Sequence, residues 1–404
     1  MIDLSLEAGG IRFKNPVVAS SGSITLTMKH MKKCIEAGVG AITTKCISTE
    51  ALTWGVFRPR HTFLDKFGYP GSLHSIELAF RTPEEGEEDI KQIKHLAEEK
   101  DVRIISNITA TGLDKESWQR LAILSQEAGA DMVEILLVCP HGGDLTAVAE
   151  GKVGRFLGMD PEMIFSIVKM VKDVVDIPVI AKIGPSTNEA LLAEVVLASE
   201  KGGADFLHLA PMVNYGIGAI DVETAMPSNP YGGCTGRQMR YIGLTTTALV
   251  APITKKPILS SGGIANWRES IERMMAGSQL VGIHTEVLYR GYKVFREVLE
   301  GMEVFMERKG YKNVTEIIGK ALPNIGTIIS LRKLPEPKGA VIAAVDSETC
   351  NGCSKCIDTC MYEAIEIIDK IAVINVELCE GCGACASVCR QDAITIEAVK
   401  EDIK

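Results

Sequence analysis

Short apolar runs alternate with longer amphipathic stretches over the first 325 residues of this 404-residue chain. The short runs are continuously apolar, which is typical of strands that are buried on both faces of a parallel sheet. They predict strands at Pro16–Ser20, Ala41–Thr44, Arg103–Ile108, Asp131–Leu136, Pro178–Ile183, Phe206–Ala210, Pro257–Ser261 and Leu280–Thr285. The amphipathic stretches predict helices such as Met28–Glu36, Pro83–Glu99, Lys115–Ala128, Pro161–Val174, Asn188–Lys201 and Ala265–Ala276.

Eight βα units in about 300 residues favour a (β/α)8 TIM barrel, which we predict for residues 1–325. A doubly wound sheet is the alternative, but it would carry a G-x-G-x-x-G fingerprint after an early strand, and none is present. Beyond the barrel, two prolines and a glycine in Lys333–Gly339 predict an extended linker over residues 326–340.

Two cysteine runs follow the linker, and both have the spacing C-x2-C-x2-C-x3-C of a bacterial two-cluster ferredoxin. In that pattern the fourth cysteine of each run ligates the other cluster. The predicted ligands are Cys350, Cys353, Cys356 and Cys389 for one [4Fe–4S] cluster, and Cys379, Cys382, Cys385 and Cys360 for the second. Two zinc sites or a set of disulfides are the alternatives, but zinc sites seldom repeat this spacing. We therefore predict a 2[4Fe–4S] ferredoxin domain over residues 341–404.

The charge and composition of the chain exclude several classes of protein. The net charge of −9 argues against a nucleic-acid partner, which would require a basic face. No uncharged apolar run approaches the ~18 residues that a membrane-spanning helix needs. The first residues lack the pattern of a signal peptide, and cluster-forming thiolates need a reducing compartment. We therefore expect a cytoplasmic protein without a membrane partner.

The ends of the predicted barrel strands carry the candidate chemistry, because βα loops form the active sites of TIM barrels. Lys45 and Lys182 stand at two such ends, where a buried ammonium needs an anionic or electron-rich partner. Gly262, Gly263 and Thr285 lie after the seventh and eighth strands, where barrels bind phosphate. A phosphate-bearing cofactor, two lysines and iron–sulfur clusters together suggest flavin mononucleotide (FMN). Asn107 and His284 also lie at strand ends and are counted as candidate cofactor contacts.

Several motifs resemble those of the dihydropyrimidine dehydrogenase and dihydroorotate dehydrogenase superfamily over essentially the whole chain. They are Asn15-Pro16, Thr44-Lys45, Cys139-Pro140-His141-Gly142, Asp160-Pro161, Ala181-Lys182, Tyr231-Gly232-Gly233-x-x-Gly236, Gly262-Gly263-Ile264 and the eight cysteines. Within the superfamily the chain looks most like the catalytic subunits of bacterial NAD-dependent dihydropyrimidine dehydrogenases. That group joins an FMN barrel to a two-cluster ferredoxin segment.

The resemblance implies roles for the strand-end residues. Ala19 and Ser20 would contact the flavin ring, and Lys45 and Lys182 would lie near its pyrimidine edge, where a cation stabilises an anionic reduced flavin. The residues implied for the ribityl chain and the phosphate are Gly233, Thr235, Gly236, Gly262, Gly263 and Thr285.

Departures from the family pattern affect the substrate site. The family's active-site loop carries a cysteine or serine acid where this chain has Leu157, which has no proton to donate. Family asparagines that bind the pyrimidine are replaced at Leu136 and in Ala210-Pro211-Met212. Because unpaired substrate amides are costly, we expect an activated C=C or C=N substrate other than free uracil or thymine.

Five side chains are candidate proton donors in place of Leu157: His141, His208, Cys46, Tyr215 and Lys152. Each also has an ordinary interpretation. His141 belongs to a shared motif, His208 lies on an apolar strand as core histidines do, and Cys46 is typical of a small buried residue. Tyr215 lies in a glycine-rich segment that we expect to be flexible. Lys152 and Arg155 either bind an anionic substrate or are solvated.

The absence of an NAD fingerprint predicts that electrons arrive from another protein, either an NAD(P)H-oxidising flavoprotein subunit or a ferredoxin. The clusters would then pass single electrons to FMN. The family's pairing of barrels suggests a homodimer or hetero-oligomer. Two alternatives remain open at this point: a genuine dihydropyrimidine dehydrogenase catalytic subunit, and an electron-transfer module without an organic substrate.

Overall fold

A computed structural model describes residues 2–49, 61–65, 70–75, 80–138, 158, 160–186, 188–211, 213–220, 225–325 and 341–398. The chain divides into two compact units, Met1–Ile325 and Gly326–Lys404. No helix in the described ranges is long and apolar enough to cross a membrane.

The first unit is an α/β unit. Its strands are β1 (Leu6–Ala8), β2 (Ile11–Phe13), β3 (Val17–Ala19), β4 (Ala41–Thr43), β5 (Ile47–Ser48), β6 (His61–Phe63), β7 (Ser72–Ser75), β8 (Arg103–Thr109), β9 (Met132–Leu136), β10 (Val179–Ile183), β11 (Phe206–Leu209), β12 (Val213–Ile220), β13 (Ala225–Gly236), β14 (Ile258–Ser260) and β15 (Leu280–Ile283). Its helices are α1 (Met28–Glu36), α2 (Pro83–Glu99), α3 (Lys115–Glu127), α4 (Pro161–Lys172), α5 (Glu189–Gly202), α6 (Arg240–Val250), α7 (Trp267–Met275), α8 (Thr285–Arg290) and α9 (Lys293–Lys309).

Eight parallel strands in the described part of the chain close into a barrel in the order β3, β4, β8, β9, β10, β11, β14, β15. Pairing of β15 with β3 and of β4 with β8 completes the circle. Each strand coincides with a predicted one to within two residues at either end, so the predicted (β/α)8 fold class is confirmed. The strand residues are buried on both faces, which explains their continuous apolar sequence.

Local sequence signals start several barrel helices. Thr82 accepts the backbone N–H of Glu85, whose side chain accepts that of Thr82, so a capping box begins α2. Asp160 accepts two backbone N–H groups at the start of α4, directly before Pro161. Asn188 caps α5 in the same way. These caps lie at the carboxyl-end face of the barrel, where the loops that follow the strands enter the helices.

An antiparallel sheet of order β12-β13-β7-β6 accompanies the barrel and was not predicted. Its strand β12 contains the segment expected to be flexible, and the backbone of that segment pairs with β13. Strand β13 also pairs with β7, which aligns Thr235 with Leu73 and Gly236 with Ser72. The sheet therefore brings the predicted glycine-rich segment back to α8, which begins at Thr285.

The second unit repeats one small motif. It contains β16 (Val341–Val345), α10 (Lys355–Thr359), β17 (Ile365–Ile368), β18 (Ile371–Ile374), α11 (Ala384–Val388) and β19 (Ile394–Ala398). Strands β16 and β19 form one antiparallel pair, and β17 and β18 form the other. Each short helix follows a left-handed residue, Ser354 or Gly383, at equivalent positions of the two cysteine runs.

Candidate functional site

The carboxyl ends of the barrel strands converge on a buried polar network centred on Glu134 of β9. Asn107 Nδ2 on β8 donates to Glu134 Oε1 at 2.5 Å, and Lys182 Nζ on β10 donates to the same oxygen at 3.2 Å. His208 on β11 contacts the other carboxylate oxygen through Nδ1 at 2.5 Å. Its Nε2 lies 2.8 Å from Oγ of Ser261, directly after β14. Five adjacent strands thus contribute to one connected network.

Electrostatics fix the protonation of this network. Burial opposes ionisation of Glu134, but the charge of Lys182 and hydrogen bonds from His208 and Lys182 outweigh it and lower its pKa to about 2. Burial lowers the pKa of His208 more than the neighbouring Glu134 raises it. At neutral pH the network therefore holds the carboxylate of Glu134 and a neutral His208 imidazole. Nδ1 of His208 donates to Glu134, and Nε2 accepts the Ser261 hydroxyl.

Four buried side-chain oxygen atoms have no partner in the part of the chain that the structure describes, and two of them belong to residues predicted to contact the cofactor. These two are Oγ of Ser20, directly after β3, and Oδ1 of Asn107. A buried polar atom without a hydrogen bond is costly, so each is suited to a polar ligand. Ser20 Oγ packs directly against Gly282 of β15, since a Cβ there would lie 2.4 Å from that oxygen. The residues present therefore fit the polar edge of a flavin ring.

The predicted phosphate region forms a second feature of the same face. Gly262 and Gly263 have φ values of +78° and +79°, a conformation that strongly favours glycine. The hydroxyls of Thr285 and Thr235 lie 3.1 Å apart, which joins the start of α8 to β13. Gly236 has room only for hydrogen, because a Cβ would lie 2.2 Å from the carbonyl oxygen of Gly71. Left-handed glycines and a pair of hydroxyls thus occur at the positions where the sequence predicts phosphate.

The remaining predicted site residues divide into two groups. Ala19, Lys45 and Cys46 are buried at the ends of β3 and β4, Gly233 lies on β13, and His284 precedes α8. The other group is His141, Leu157, Lys152 and Arg155, which fall outside the described residues, and Tyr215, whose backbone alone is described. Their predicted roles stay predictions.

Two charged residues of this face were not among the predicted site residues. Glu134 lies in an apolar strand run, and an ionisable residue at such a position is itself a signal of a paired buried site. Arg273 of α7 is 1% exposed and binds the loop at Gly262. Helical spacing gave no indication of its burial, because it follows Glu269 and Glu272 on the same helix.

The cysteines of the second unit line two separate cavities. Cys350, Cys353, Cys356 and Cys389 line one. Cys360, Cys379, Cys382 and Cys385 line the other. Each cavity thus combines three cysteines of one run with the fourth cysteine of the other run. Four cysteines at each cavity match the number of thiolates that one [4Fe–4S] cluster needs.

Backbone amides donate to two sulfur atoms in each cavity in a repeated pattern. Ala372 and Ala393 donate to Sγ of Cys350 and Cys389 at 3.5 and 3.3 Å. Ala343 and Ala364 donate to Sγ of Cys379 and Cys360, both at 3.4 Å. Such hydrogen bonds stabilise thiolates and tune the reduction potential of a bound cluster.

Comparison with known proteins agrees with this architecture. The family model for dihydroorotate dehydrogenase matches residues 3–306, and the model for a 4Fe-4S binding domain matches residues 372–395. The catalytic subunit of dihydroorotate dehydrogenase B (NAD(+)) from Pyrococcus abyssi is 34% identical over 324 residues, which cover 79% of this chain and 99% of that protein. The protein of the same name from Methanocaldococcus jannaschii is 32% identical over 317 residues, 77% of this chain and 96% of that protein.

Both relatives carry the name dihydroorotate dehydrogenase. The comparisons therefore support the predicted superfamily, without its closer assignment to dihydropyrimidine dehydrogenase. The match to a 4Fe-4S binding domain indicates an iron–sulfur protein. The chain belongs to the dihydroorotate dehydrogenase family, and it is an oxidoreductase of the class that acts on CH–CH groups.

Proposed function

We propose that this chain is the catalytic component of an FMN- and iron–sulfur-dependent oxidoreductase. It would add two electrons and two protons across an activated C=C or C=N bond of a small organic substrate, or catalyse the reverse reaction. The observation that carries the proposal is the Glu134 network at the carboxyl ends of the barrel strands. In it Glu134 binds both the Lys182 ammonium and the side-chain amide of Asn107, and the oxygens of Asn107 and Ser20 have no partner among the described residues.

FMN, when bound, supplies hydride and one-electron chemistry. Ser20, Asn107 and Lys182 would hold its polar ring edge, together with Lys45. Gly233, Thr235, Gly236, Gly262, Gly263 and Thr285 would hold its ribityl chain and phosphate. Glu134, whose pKa is lowered to about 2, stays ionised at neutral pH and keeps Lys182 in place through their 3.2 Å contact.

Two [4Fe–4S] clusters in the second unit complete the proposed cofactor set. The support is the composition of the two cavities, each lined by the four cysteines predicted from the spacing. Electrons would come from a separate donor protein, an NAD(P)H-oxidising flavoprotein subunit or a ferredoxin. The word "subunit" in the names of the relatives favours the first of these donors.

The substrate shell is less polar than a pyrimidine site requires. Ala210 and Pro211 are buried after β11, and Leu136 ends β9 beside Lys182. None of these side chains can bond a substrate amide, so we propose a substrate other than free uracil or thymine. The proton donor would come from His141, Cys46, Tyr215 or His208. Since both ring nitrogens of His208 are engaged, its part in proton transfer would run through Ser261.

Dihydroorotate dehydrogenation is the second candidate function, and the names of the relatives favour it. Dihydropyrimidine dehydrogenation is a third, favoured by the ferredoxin segment that follows the barrel. An anaerobic reoxidation assay separates these functions. The purified protein is reduced with dithionite and mixed with orotate, uracil, thymine or a panel of non-pyrimidine enones, and the flavin absorbance is followed.

We expect rapid reoxidation by an acceptor outside the free pyrimidines. Rapid reoxidation by orotate would assign the activity named for the relatives, and rapid reoxidation by uracil would overturn our interpretation of Leu136 and Pro211. No reoxidation by any organic acceptor, with rapid reoxidation by an electron-carrier protein, would favour an electron-transfer module.

A further inference from the structure

Arg273 is a buried cation directly behind the Gly262–Gly263 loop. It lies on α7, is 1% exposed, and its guanidinium donates four hydrogen bonds. Nη1 donates to Oγ of Ser260 at 2.8 Å and to the carbonyl oxygen of Ser261 at 3.2 Å. Nη2 donates to the carbonyl oxygens of Gly262 at 2.6 Å and Arg240 at 3.0 Å. All four acceptors are neutral.

No ion pair between described residues includes Arg273. The two acids nearest to it along the helix have other partners: Glu272 pairs with Arg240 at 2.7 Å, and Glu269 accepts the backbone N–H of Ala265 at 2.6 Å. Burial lowers the pKa of Arg273 to about 10, so the guanidinium still carries its charge at neutral pH. The nearby charges of Glu269 and Glu272 offset the cost of burying the guanidinium only in part, which suggests that a ligand supplies further negative charge.

The loop shows where that ligand would lie. In a trans peptide the carbonyl and the following N–H point in opposite directions. The carbonyls of Ser261 and Gly262 face Arg273, so the N–H groups of Gly262 and Gly263 face away from it. Neither amide donates to an acceptor in the described part of the chain. Two free donors thus lie on one side of the loop, with a positive charge on the other.

We propose that Arg273 is a positioning residue for the phosphate of the flavin cofactor. It orients the loop by binding two successive carbonyls, and it places a compensating charge behind the two amides without contacting the phosphate. The inference rests on the proposed function, in which this chain binds FMN. A purely structural role, in which Arg273 only fastens α7 to β14 and α6, would not distinguish a phosphorylated flavin from one without phosphate.

That difference gives the test. Full-length protein freed of flavin is titrated with FMN and with riboflavin, which lacks the phosphate, and binding is read from quenching of flavin fluorescence. Arg273→Met should weaken FMN binding by about tenfold or more, the loss expected for one charged interaction. It should leave riboflavin binding within about twofold. Arg268→Met, an exposed arginine of the same helix stacked on Trp267, is the matched control and should change neither.

Arg273→Lys retains the charge but loses the fork that binds two carbonyls. It should lose less FMN affinity than Arg273→Met, and it serves as the test if the methionine variant does not fold. Equal loss of FMN and riboflavin affinity in a folded variant, or no loss of either, would overturn the inference alone. Wild-type protein that binds neither flavin would overturn the proposed function with it.

Discussion

Nδ1 of His208 lies 2.5 Å from Oε2 of Glu134, and neither side chain is exposed. The same carboxylate holds Lys182 through its other oxygen. One buried anion thus organises the charged end of the barrel. Its removal would leave an uncompensated ammonium at the proposed flavin edge.

Glu134→Gln should therefore destabilise the protein strongly. Breaking a buried ion pair by removing one partner costs about 3–5 kcal/mol, because the remaining charge is left unpaired. The measurement is urea unfolding of flavin-free protein. The control is Asp173→Asn, which breaks the exposed pair with Lys169 on α4 and should cost less than about 1 kcal/mol. Equal costs for the two variants would contradict the assignment of Glu134 as the organising anion.

Stability should fall in acid in two stages. The pKa of His208 is lowered below 6.5 in the folded protein, so the unfolded chain binds its proton first and stability declines as pH falls below about 6.5. The pKa of Glu134 is lowered from 4.5 to about 2, so its contribution is complete above about pH 4.5 and is lost as pH falls towards 2. Thermal unfolding of wild type and His208→Gln across this range checks the sign. The variant should lack the upper stage, and an unchanged profile would show that His208 does not titrate in this way.

The exchanged fourth cysteine can be tested with pairs of substitutions. Cys360→Ala with Cys379→Ala removes two ligands of one predicted cluster and should leave about four iron ions per chain. Cys360→Ala with Cys350→Ala removes one ligand from each predicted cluster and should leave close to none. Iron analysis and electron paramagnetic resonance of the reduced protein provide the readout. The opposite order of iron contents would mean that each run binds its own cluster.

A substitution at Gly282 tests the close packing of this glycine against Ser20. Gly282→Ala should destabilise the protein and weaken flavin binding, because the new Cβ would lie 2.4 Å from Ser20 Oγ. Adding Ser20→Ala removes that oxygen and should restore much of the stability but not the flavin affinity, since Ser20 is a proposed flavin contact. Thermal unfolding and flavin titration of the three variants separate the effects. Recovery of both properties in the double variant would exclude Ser20 as a contact.

Much of the barrel could be predicted from sequence because each strand is a continuous apolar run, and burial on both faces requires such a run. The hairpin of β12 and β13 could not be predicted, since glycines and prolines such as Gly216, Gly218 and Pro230 suggest a loop. Its strands are instead held by pairing with each other and with β7, which are contacts that no local pattern reveals.

The candidate site likewise combines residues that could be predicted from the sequence with residues that could not. Lys182 and the glycines at Gly262 were found because strand ends in a barrel share one face. The partners of Lys182 could not be predicted, because they depend on the strand register that aligns Asn107 with Glu134 and Lys182 with His208. The role of Arg273 could not be predicted, because it depends on the tertiary contact of α7 with the loop at Gly262. Its position on an amphipathic helix is equally typical of a solvated arginine.

The most direct test of the account is an anaerobic reductive titration of the purified full-length protein with dithionite. Flavin absorbance and the paramagnetic signal of reduced clusters are followed together. One FMN and two [4Fe–4S] clusters predict uptake of about four electrons per chain, two by the flavin and one by each cluster. Uptake of two electrons or fewer, or a chain that shows no flavin absorbance to bleach, would contradict it.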